Sequence, residues 1–267
     1  ELRAMRPSTR LVVLGKKLWT PAQISTALWL DAADASTITL NGSTVSQWND
    51  KSGNRRNAIQ ATAANQPTYS VEIFNNKPGL SFDGVNDFLV ATYSSINFVG
   101  CSIFIIGNLN SSSGANTGVI TLNDGVNLDF QTNGILGWAS GFSNNLPTGA
   151  DSRYNVGGIG VTNTVLAMNT NYLYSFISNS GIRINGTLAF SGDNGSVTIP
   201  NTQLGVGCRL SPNGSNFSRC IVSEVVVINS IVSTINRQLI EGYLAWKWEL
   251  TANLPGNHPF KFNPPLA

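Results

Sequence analysis

Short apolar segments separated by turn residues dominate the sequence. Segments such as 102–108 and 220–228 are rich in β-branched and aromatic residues, which is typical of strands. Asn-Gly and Asp-Gly pairs supply the positive φ angles of tight hairpins. Pairs of this kind lie between many of the segments, for example those that begin at Asn41, Asp83, Asp124, Asn133, Asn185 and Asn213. Because no helical segments alternate with the strands, the pattern predicts an all-β, antiparallel β-sandwich rather than an α/β fold.

One segment near the C-terminus departs from the β pattern. Apolar residues recur there at three- and four-residue spacing after Ser233, a residue type that caps helices, and Pro255 stops the pattern. This predicts one short C-terminal helix over about 233–249, with Gly242 allowing a close approach on one side. The residues expected to share its buried stripe are Leu239, Tyr243, Leu244 and Trp248, and Ile235 fits the same spacing. The residues expected to face water or a partner are Arg237, Gln238 and Glu241.

The rest of the chain divides into an arm and one domain. Residues 1–20 are basic, contain Pro and lack an alternating pattern, so we expect them to lie outside the core and to contact a neighbouring subunit. The candidate contacts are Arg3, Arg6, Arg10, Lys16 and Lys17. No Pro-rich or charged linker divides residues 21–267, which predicts a single domain. The Asn/Ser/Gly-rich stretch 141–160 is predicted to be an extended surface loop.

The composition limits the classes of partner that the protein could bind. Charged residues make up 11% of the chain, far below the usual quarter, so Asn, Ser, Thr and Gly must supply much of the polar surface. A net charge of +2 does not indicate nucleic acid binding, and no apolar run is long enough to indicate a membrane span. The three cysteines do not form a disulfide framework. Cys208 and Cys220 flank one loop and could form a disulfide, but spacing alone leaves buried thiols as the alternative.

Catalytic constellations are missing from the sequence. Glycoside hydrolysis needs two carboxylates that face one bond, and strand 223–227 carries only Glu224. We interpret Glu224 as a carboxylate at the rim of the sheet that accepts hydrogen bonds from a loop or helix end. His258 is the sole histidine, and no G-x-S-x-G motif accompanies it. The sequence therefore predicts a protein that is not an enzyme and needs no cofactor.

Two weaker sets of candidate binding residues remain. Aspartates in turn-like contexts can bind calcium or can cap neighbouring backbone N–H groups, and the structural role is favoured here. They are Asp31, Asp34, Asp50, Asp83 and Asp87. Aromatic side chains in and near the long loop could stack on sugar rings, although Trp138 also fits a core position. These aromatic residues are Trp138, Phe142 and Tyr154.

Several motifs occur in the order found in a known superfamily. They are ALWLDAAD at 27–34, VSQWNDKSG at 45–53, PGLSFDGVNDFL at 78–89, GIRINGT at 181–187 and the strand–helix–Pro-rich segment 220–260. Together they resemble the concanavalin A-like lectin/glucanase superfamily, specifically its laminin-G-like jelly-roll branch, which is common in bacteriophage and bacterial surface proteins. The resemblance runs from Trp19 to Phe260 and implies a jelly-roll sandwich.

The resemblance leaves function more open, because this fold carries lectins, hydrolases, adhesion modules and virion proteins. Its main implication, taken with the missing catalytic residues, is a structural virion protein of a tailed bacteriophage. A capsid decoration (cement) protein is favoured over a tail or fibre component. Such a protein would assemble in the host bacterial cytoplasm, contact the major capsid protein or its neighbouring subunits, and form a homo-oligomer. The alternative is a lectin-like module that binds cell-surface glycans.

Overall fold

The computed structural model describes residues 17–92, 100–110, 117–123, 136–140, 150–156, 159–161, 165–177, 180–191, 203–210 and 215–267. These residues form an antiparallel β-sandwich with one 14-residue α-helix, which confirms the predicted fold class. Within them, no helix combines the length and the apolarity needed to cross a membrane.

The strands are short and follow one another closely. The first ten are β1 Leu28–Asp31, β2 Ile38–Asn41, β3 Thr44–Trp48, β4 Ala58–Ile59, β5 Thr68–Phe74, β6 Lys77–Asp83, β7 Leu89–Thr92, β8 Ser102–Leu109, β9 Thr117–Asn123 and β10 Leu136–Ser140. The next ten are β11 Ala150–Val156, β12 Ile159–Val161, β13 Val165–Leu166, β14 Tyr172–Ile177, β15 Gly181–Ile184, β16 Thr187–Phe190, β17 Gln203–Val206, β18 Cys208–Leu210, β19 Ser215–Phe217 and β20 Arg219–Ile228. The helix α1 spans Thr234–Lys247, and short 3₁₀ turns lie at Pro21–Gln23, Ala35–Thr37, Ala63–Asn65 and Thr251–Asn253.

Strand β20 is the centre of one layer. It pairs with β8 along one edge, and with β6 and then β1 along the other. The layer continues through β14, β15 and β16. The opposite layer runs β3–β4–β7–β17–β9–β10. Because side chains alternate along a strand, Val225 and Val227 face the interior between the layers, whereas Val226 and Ile228 face outward.

Helix α1 covers the outward face of the β20 layer. Ser233 caps it, since its Oγ accepts a hydrogen bond from the Asn236 N–H at 3.2 Å. Tyr243, Leu244 and Trp248 are buried against the sheet as predicted, and Leu239 packs there partly buried. This helix explains why β8 and β20 are buried along both faces and read as continuous apolar runs.

One prediction about α1 was wrong, and one residue that shares the apolar spacing lies outside the buried stripe. Ile235 is 71% exposed, because it lies in the first turn beyond the edge of the covered sheet. Glu241 is fully buried rather than solvent-facing. It receives a hydrogen bond from Arg237, and its Oε2 lies 3.3 Å from Nε2 of the buried His258. The Pro-rich tail folds back over this side of the helix, so the side opposite the sheet is also covered.

The described end of the predicted arm is not separate from the domain. Leu18 pairs with Leu266, and the Trp19 N–H donates to the Pro265 carbonyl at 2.9 Å. Trp19 is buried beside Tyr243, with ring centroids 6.4 Å apart. The expectation that residues 1–20 lie outside the core is therefore wrong for Leu18 and Trp19. The C-terminal tail pairs with their backbone, and the Trp19 ring packs beside Tyr243 of α1. Residues 1–16 lie outside the described residues.

Two further expectations concern residues 141–160 and the cysteines. The stretch predicted as a loop contains β11, which pairs with β10, β12 and β13. The strand was not predicted because its residues are mostly polar, and backbone pairing rather than an apolar pattern defines it.

Cys208 and Cys220 are both buried free thiols, so they do not form a disulfide in the structure. Burial raises the pKa of Cys208 to about 12 and raises that of Cys220 further.

Candidate functional site

A polar cleft opens where β1 begins and β20 ends. Its volume is about 440 Å³. Its walls come from the segment before β1, the loop after β3 and the residues after β20. The lining residues are Ser25, Thr26, Ala27, Asn54, Arg56, Asn229 and Ser230. Hydroxyl and amide groups dominate this set, with one guanidinium.

The loop after β3 is ordered by a single aspartate. The carboxylate of Asp50 accepts hydrogen bonds from the backbone N–H groups of Trp29 at 2.9 Å, Ser52 at 2.9 Å and Arg56 at 3.1 Å. Asn57 completes the arrangement, because its Oδ1 accepts from the Asp50 N–H at 3.0 Å. The segment WNDKSG thus forms a preorganised wall, and Asp50 acts as a turn-making residue.

The same loop fixes the floor of the cleft. The Ala27 carbonyl accepts hydrogen bonds from Asn54 Nδ2 at 3.1 Å and from Arg56 Nη1 at 2.6 Å. Asn54 Nδ2 also lies 3.0 Å from the Thr26 carbonyl. Ser25, Asn54, Asn229 and Ser230 are exposed, so they present their polar groups to solvent. A rigid floor with exposed hydroxyl and amide groups suits a ligand that both donates and accepts hydrogen bonds.

A second group of polar side chains lies at the other end of β1, beneath α1. We call it the buried charge network, and its charged members are Asp31, Lys51, Glu224 and Lys247. Glu224 is fully buried, so the prediction of a rim carboxylate was wrong. Its Oε1 accepts from Trp29 Nε1 at 2.7 Å and from the Tyr243 hydroxyl at 3.0 Å. Its Oε2 accepts from Trp248 Nε1 at 2.5 Å and lies 2.8 Å from Lys247 Nζ. Burial and the neighbouring Asp31 carboxylate raise the pKa of Glu224, although Lys247 opposes the shift.

Asp31 faces Glu224 across β1 and β20 and shares Lys247 with it. Lys247 Nζ lies 2.5 Å from Asp31 Oδ1, and Lys51 Nζ lies 2.8 Å from Asp31 Oδ2. Lys51 also reaches Asp34 Oδ2 at 2.9 Å, which holds the pKa of Asp34 below its ordinary value together with Ser36. The calcium candidates Asp31 and Asp34 thus have lysine ammonium groups where a cation would be held.

Asp83 and Asp87 make a turn. Asp83 Oδ1 accepts from the N–H groups of Val85 at 2.8 Å and Asn86 at 3.2 Å, while Asp87 Oδ2 accepts from the Asp83 N–H at 3.0 Å. Burial raises the pKa of Asp87 to about 6. Across the described parts of the chain, no group of three or more His, Cys, Asp or Glu side chains is placed to hold a metal ion.

The aromatic and basic candidates fall mainly outside what the structure describes. Trp138 and Tyr154 lie on the paired strands β10 and β11, where Ala139 is opposite Arg153. Their side chains and the whole of Phe142 are outside the described residues, as are Arg3, Arg6, Arg10 and Lys16. Lys17 is described and exposed. No contact between these residues and the cleft is established, and their roles stay predictions.

The cleft and the charge network were both missed as sites by sequence reasoning. The signal for the cleft was the turn segment 49–57, which is rich in Asn, Asp, Ser and Arg and in which only Asp50 had been considered as a candidate binding residue. The signal for the network was the presence of Trp29 near Asp31 and of Trp246 and Trp248 on both sides of Lys247. Their connection to Glu224 could be interpreted only once the strand pairing was known.

Neither a protein-family profile nor a curated protein matches the sequence. Solved structures do match the fold. Trypanosoma rangeli sialidase in complex with sialic acid aligns over 90% of this chain and 37% of its own, with 14% identity and a TM-score of 0.55. The binding domain of Paraclostridial Mosquitocidal Protein 1 aligns over 80% of this chain and 51% of that chain, with 10% identity and a TM-score of 0.53. This chain thus spans little more than a third of the sialidase, and at these identities the likeness shows a shared β-sandwich fold alone.

Proposed function

We propose that this chain is a non-enzymatic carbohydrate-binding module that holds a glycan in the polar cleft. The observation that carries the proposal is the open cleft of about 440 Å³ lined by serine, threonine and asparagine side chains and by Arg56. Ligand sites commonly occupy about 300–1,000 Å³. Sugar hydroxyls donate and accept hydrogen bonds, and so do the hydroxyl and amide groups of this cleft.

Preorganisation supports the same function. Asp50, Asn54 and Arg56 fix the loop wall and the Ala27 carbonyl before any ligand arrives. A binding site that is already ordered loses less conformational entropy when the ligand binds. Arg56 adds a positive charge at the cleft, and guanidinium groups pair well with carboxylates. Glycans that carry an acidic sugar are therefore the favoured subclass.

The fold comparisons support binding by analogy. The sialidase structure was solved with sialic acid, and the mosquitocidal protein structure is a binding domain. Because one fold hosts unrelated functions, these neighbours motivate the choice of test ligand and do not establish it.

Burial argues for binding rather than hydrolysis. A glycosidase needs two carboxyl groups that flank an accessible glycosidic bond. Asp31 and Glu224 face each other, but they are 3% and 0% exposed and are engaged by lysines and indole N–H groups. A sugar cannot reach this pair without displacement of α1.

A capsid decoration role, with virion partners, a homo-oligomeric state and assembly in the bacterial cytoplasm, stays a prediction from the resemblance. The arm that would contact a neighbouring subunit lies mostly outside the described residues, so no described contact favours this role over glycan binding. A decoration protein that also binds glycans would be compatible with both.

The test is binding of the purified chain to a glycan array that includes matched sialylated and desialylated oligosaccharides. Isothermal titration then measures the best glycan against a Ser25→Ala/Asn229→Ala double variant. Both side chains are exposed and none of the described hydrogen bonds that fix the floor depends on them. We expect affinity to fall at least about tenfold, roughly 1.4 kcal/mol.

The matched control is Asn253→Ala, which removes an exposed amide outside the cleft. It should bind like the wild type. Absence of binding to every glycan would refute the proposed function, and equal affinity in the double variant would refute the cleft as its site.

A further inference from the structure

We propose that Lys247 and Asp31 form an intramolecular isopeptide bond, with Glu224 as the proton-transferring catalytic residue. The juxtaposition consists of an amine, a carboxyl group and a second carboxyl group held together beneath α1. Lys247 Nζ lies 2.5 Å from Asp31 Oδ1 and 2.8 Å from Glu224 Oε2. This inference is independent of glycan binding, because the cleft and the charge network share no lining residue.

The distances meet the first requirement of the reaction. A nitrogen at 2.5 Å from one carboxylate oxygen lies close to the carbon of the same group, near the roughly 3–3.5 Å of a near-attack conformer. Both partners lie on regular secondary structure. Asp31 ends β1 and its Oδ1 also accepts from the Ala33 N–H at 3.1 Å, while Lys247 is in the last turn of α1.

The surroundings of the two carboxylates are buried and aromatic. The side chains of Asp31, Glu224 and Lys247 are 4%, 0% and 17% exposed. Trp29, Tyr243 and Trp248 enclose the group, and Lys247 Nζ lies 5.4 Å and 5.3 Å from the ring centroids of the last two. Amide formation releases water, so a site that excludes bulk water disfavours the reverse hydrolysis. Positioned intramolecular groups also reach effective concentrations of about 10⁵–10⁸ M.

Electrostatics favour the neutral product. An ammonium and a carboxylate buried together each lose hydration, and an amide in their place removes both charges. Burial raises the pKa of Glu224, so this carboxylate accepts a proton more readily than an ordinary glutamate. Its three other donors, Trp29, Tyr243 and Trp248, hold it against the lysine.

The step balances without a further reactant. The Lys247 ammonium gives one proton, through Glu224, to the Asp31 carboxylate, which leaves a neutral amine and a carboxylic acid. The amine lone pair attacks Asp31 Cγ and forms the C–N bond. Glu224 then takes a second proton from nitrogen and delivers it to the departing hydroxyl, so that the C–O bond breaks and one water leaves. The Ala33 N–H and Lys51 donate to the Asp31 oxygens and stabilise the negative charge of the tetrahedral intermediate.

Lys51 is the internal comparison. It contacts Asp31 Oδ2 at 2.8 Å, but its second carboxylate is the half-exposed Asp34 rather than Glu224. Lys51 therefore lacks the buried proton carrier that Lys247 has. The bond that we propose ties the first strand of the domain to its C-terminal helix, so that the chain between them forms a closed covalent loop.

The experiment is intact-mass measurement of the purified full chain under denaturing conditions, followed by digestion and tandem mass spectrometry. The expected mass is below the sequence mass by one water, and the digest should contain a branched peptide that joins the Asp31 segment to the Lys247 segment. Lys247→Arg and Glu224→Gln should have the full sequence mass, while the control Lys77→Arg, whose ammonium group pairs with Glu249 and not with Asp31, should keep the loss of water.

Several outcomes would overturn the proposal. The full sequence mass in the wild type would do so even if every variant failed to fold. A loss of water without the branched peptide would also do so, because a succinimide at an Asp-Gly pair has the same mass change. A branched peptide that persists in Lys247→Arg and disappears in Lys51→Arg would also overturn it, because Lys51 rather than Lys247 would then form the bond.

Discussion

Asp31 and Glu224 lie directly opposite each other on β1 and β20, and Lys247 contacts both carboxylates. Most of the sequence separates the two strands, so the pair is created only by their antiparallel register. Glu224 is the one acidic residue on β20, so the sequence of that strand alone does not reveal the pair. The C-terminal end of α1 converges on the same site, since Tyr243, Lys247 and Trp248 all place polar atoms within contact distance of Glu224.

Stability should depend on pH through Asp87, whose pKa burial raises from an ordinary 3.8 to about 6. A carboxyl group with a raised folded-state pKa stabilises the fold below its unfolded pKa and loses this contribution as pH rises through the folded pKa. Asp87→Asn stays neutral and can still accept the Asp83 N–H. Between about pH 4 and pH 7, the free energy of unfolding of the variant should therefore rise relative to that of the wild type by at most about 3 kcal/mol. Urea unfolding across this pH range measures the difference.

The control for this pH effect is Glu72→Gln, which neutralises an exposed carboxylate on β5. It should leave the pH profile of stability nearly parallel to that of the wild type. A parallel profile for Asp87→Asn as well would mean that Asp87 is not protonated preferentially in the folded state.

Truncation of Leu244 should test how firmly α1 is docked. Leu244 is fully buried in the cluster beneath the helix, and Leu→Ala at such sites costs about 2–5 kcal/mol. Ile235→Ala on the same helix is the control, since Ile235 is 71% exposed and its truncation should cost under about 0.5 kcal/mol. Denaturant unfolding measures both, and equal small losses would show that the helix is only loosely attached.

Glu241→Ala should strongly destabilise the fold, in contrast to what the solvent-facing position predicted from helical spacing would imply. Removal of this buried carboxylate leaves Arg237 without its ion pair and His258 without its oxygen partner. Removal of one partner from a buried pair costs about 3–5 kcal/mol. Thermal unfolding against Glu72→Ala, an exposed glutamate, checks this, and similar melting temperatures would show that Glu241 contributes little.

The sequence predicted the elements far better than the sites. The predicted strands 102–108 and 220–228 and the predicted helix each lie within two residues of the observed element at both ends, because apolar periodicity and turn residues are local signals. Strand β5 was missed, because its exposed and half-buried residues alternate without a clean apolar face. Glu241 was misplaced because a helical period shows one covered side, and the tail that covers the other side is not periodic.

The cleft and the charge network could not be predicted for a related reason. Each is assembled from segments far apart in sequence, such as Asn54 with Ala27, and Glu224 with Trp29. Their chemistry depends on pairing register and on burial. Asp50 is the partial exception, because its turn-making role follows from the local sequence.

The approach of the tail to α1 at Gly242 confirms the predicted role of this glycine and offers a sharp test. A Cβ added to Gly242 would lie 2.6 Å from the Cβ of Phe260 and 2.7 Å from its ring carbons, closer than real contacts allow. Gly242→Ala should gain about 1 kcal/mol from helix propensity but lose about 1–3 kcal/mol through overpacking, so we expect a net loss in the wild type. In a Phe260→Gly background the obstruction is gone, and the same substitution should stabilise the protein by up to about 1 kcal/mol. A double-mutant cycle from urea unfolding measures this change of sign as a coupling energy. If Gly242→Ala stabilised both backgrounds equally, the tail would not be packed on this side of the helix, and the burial of Glu241 beside His258 would need another cause.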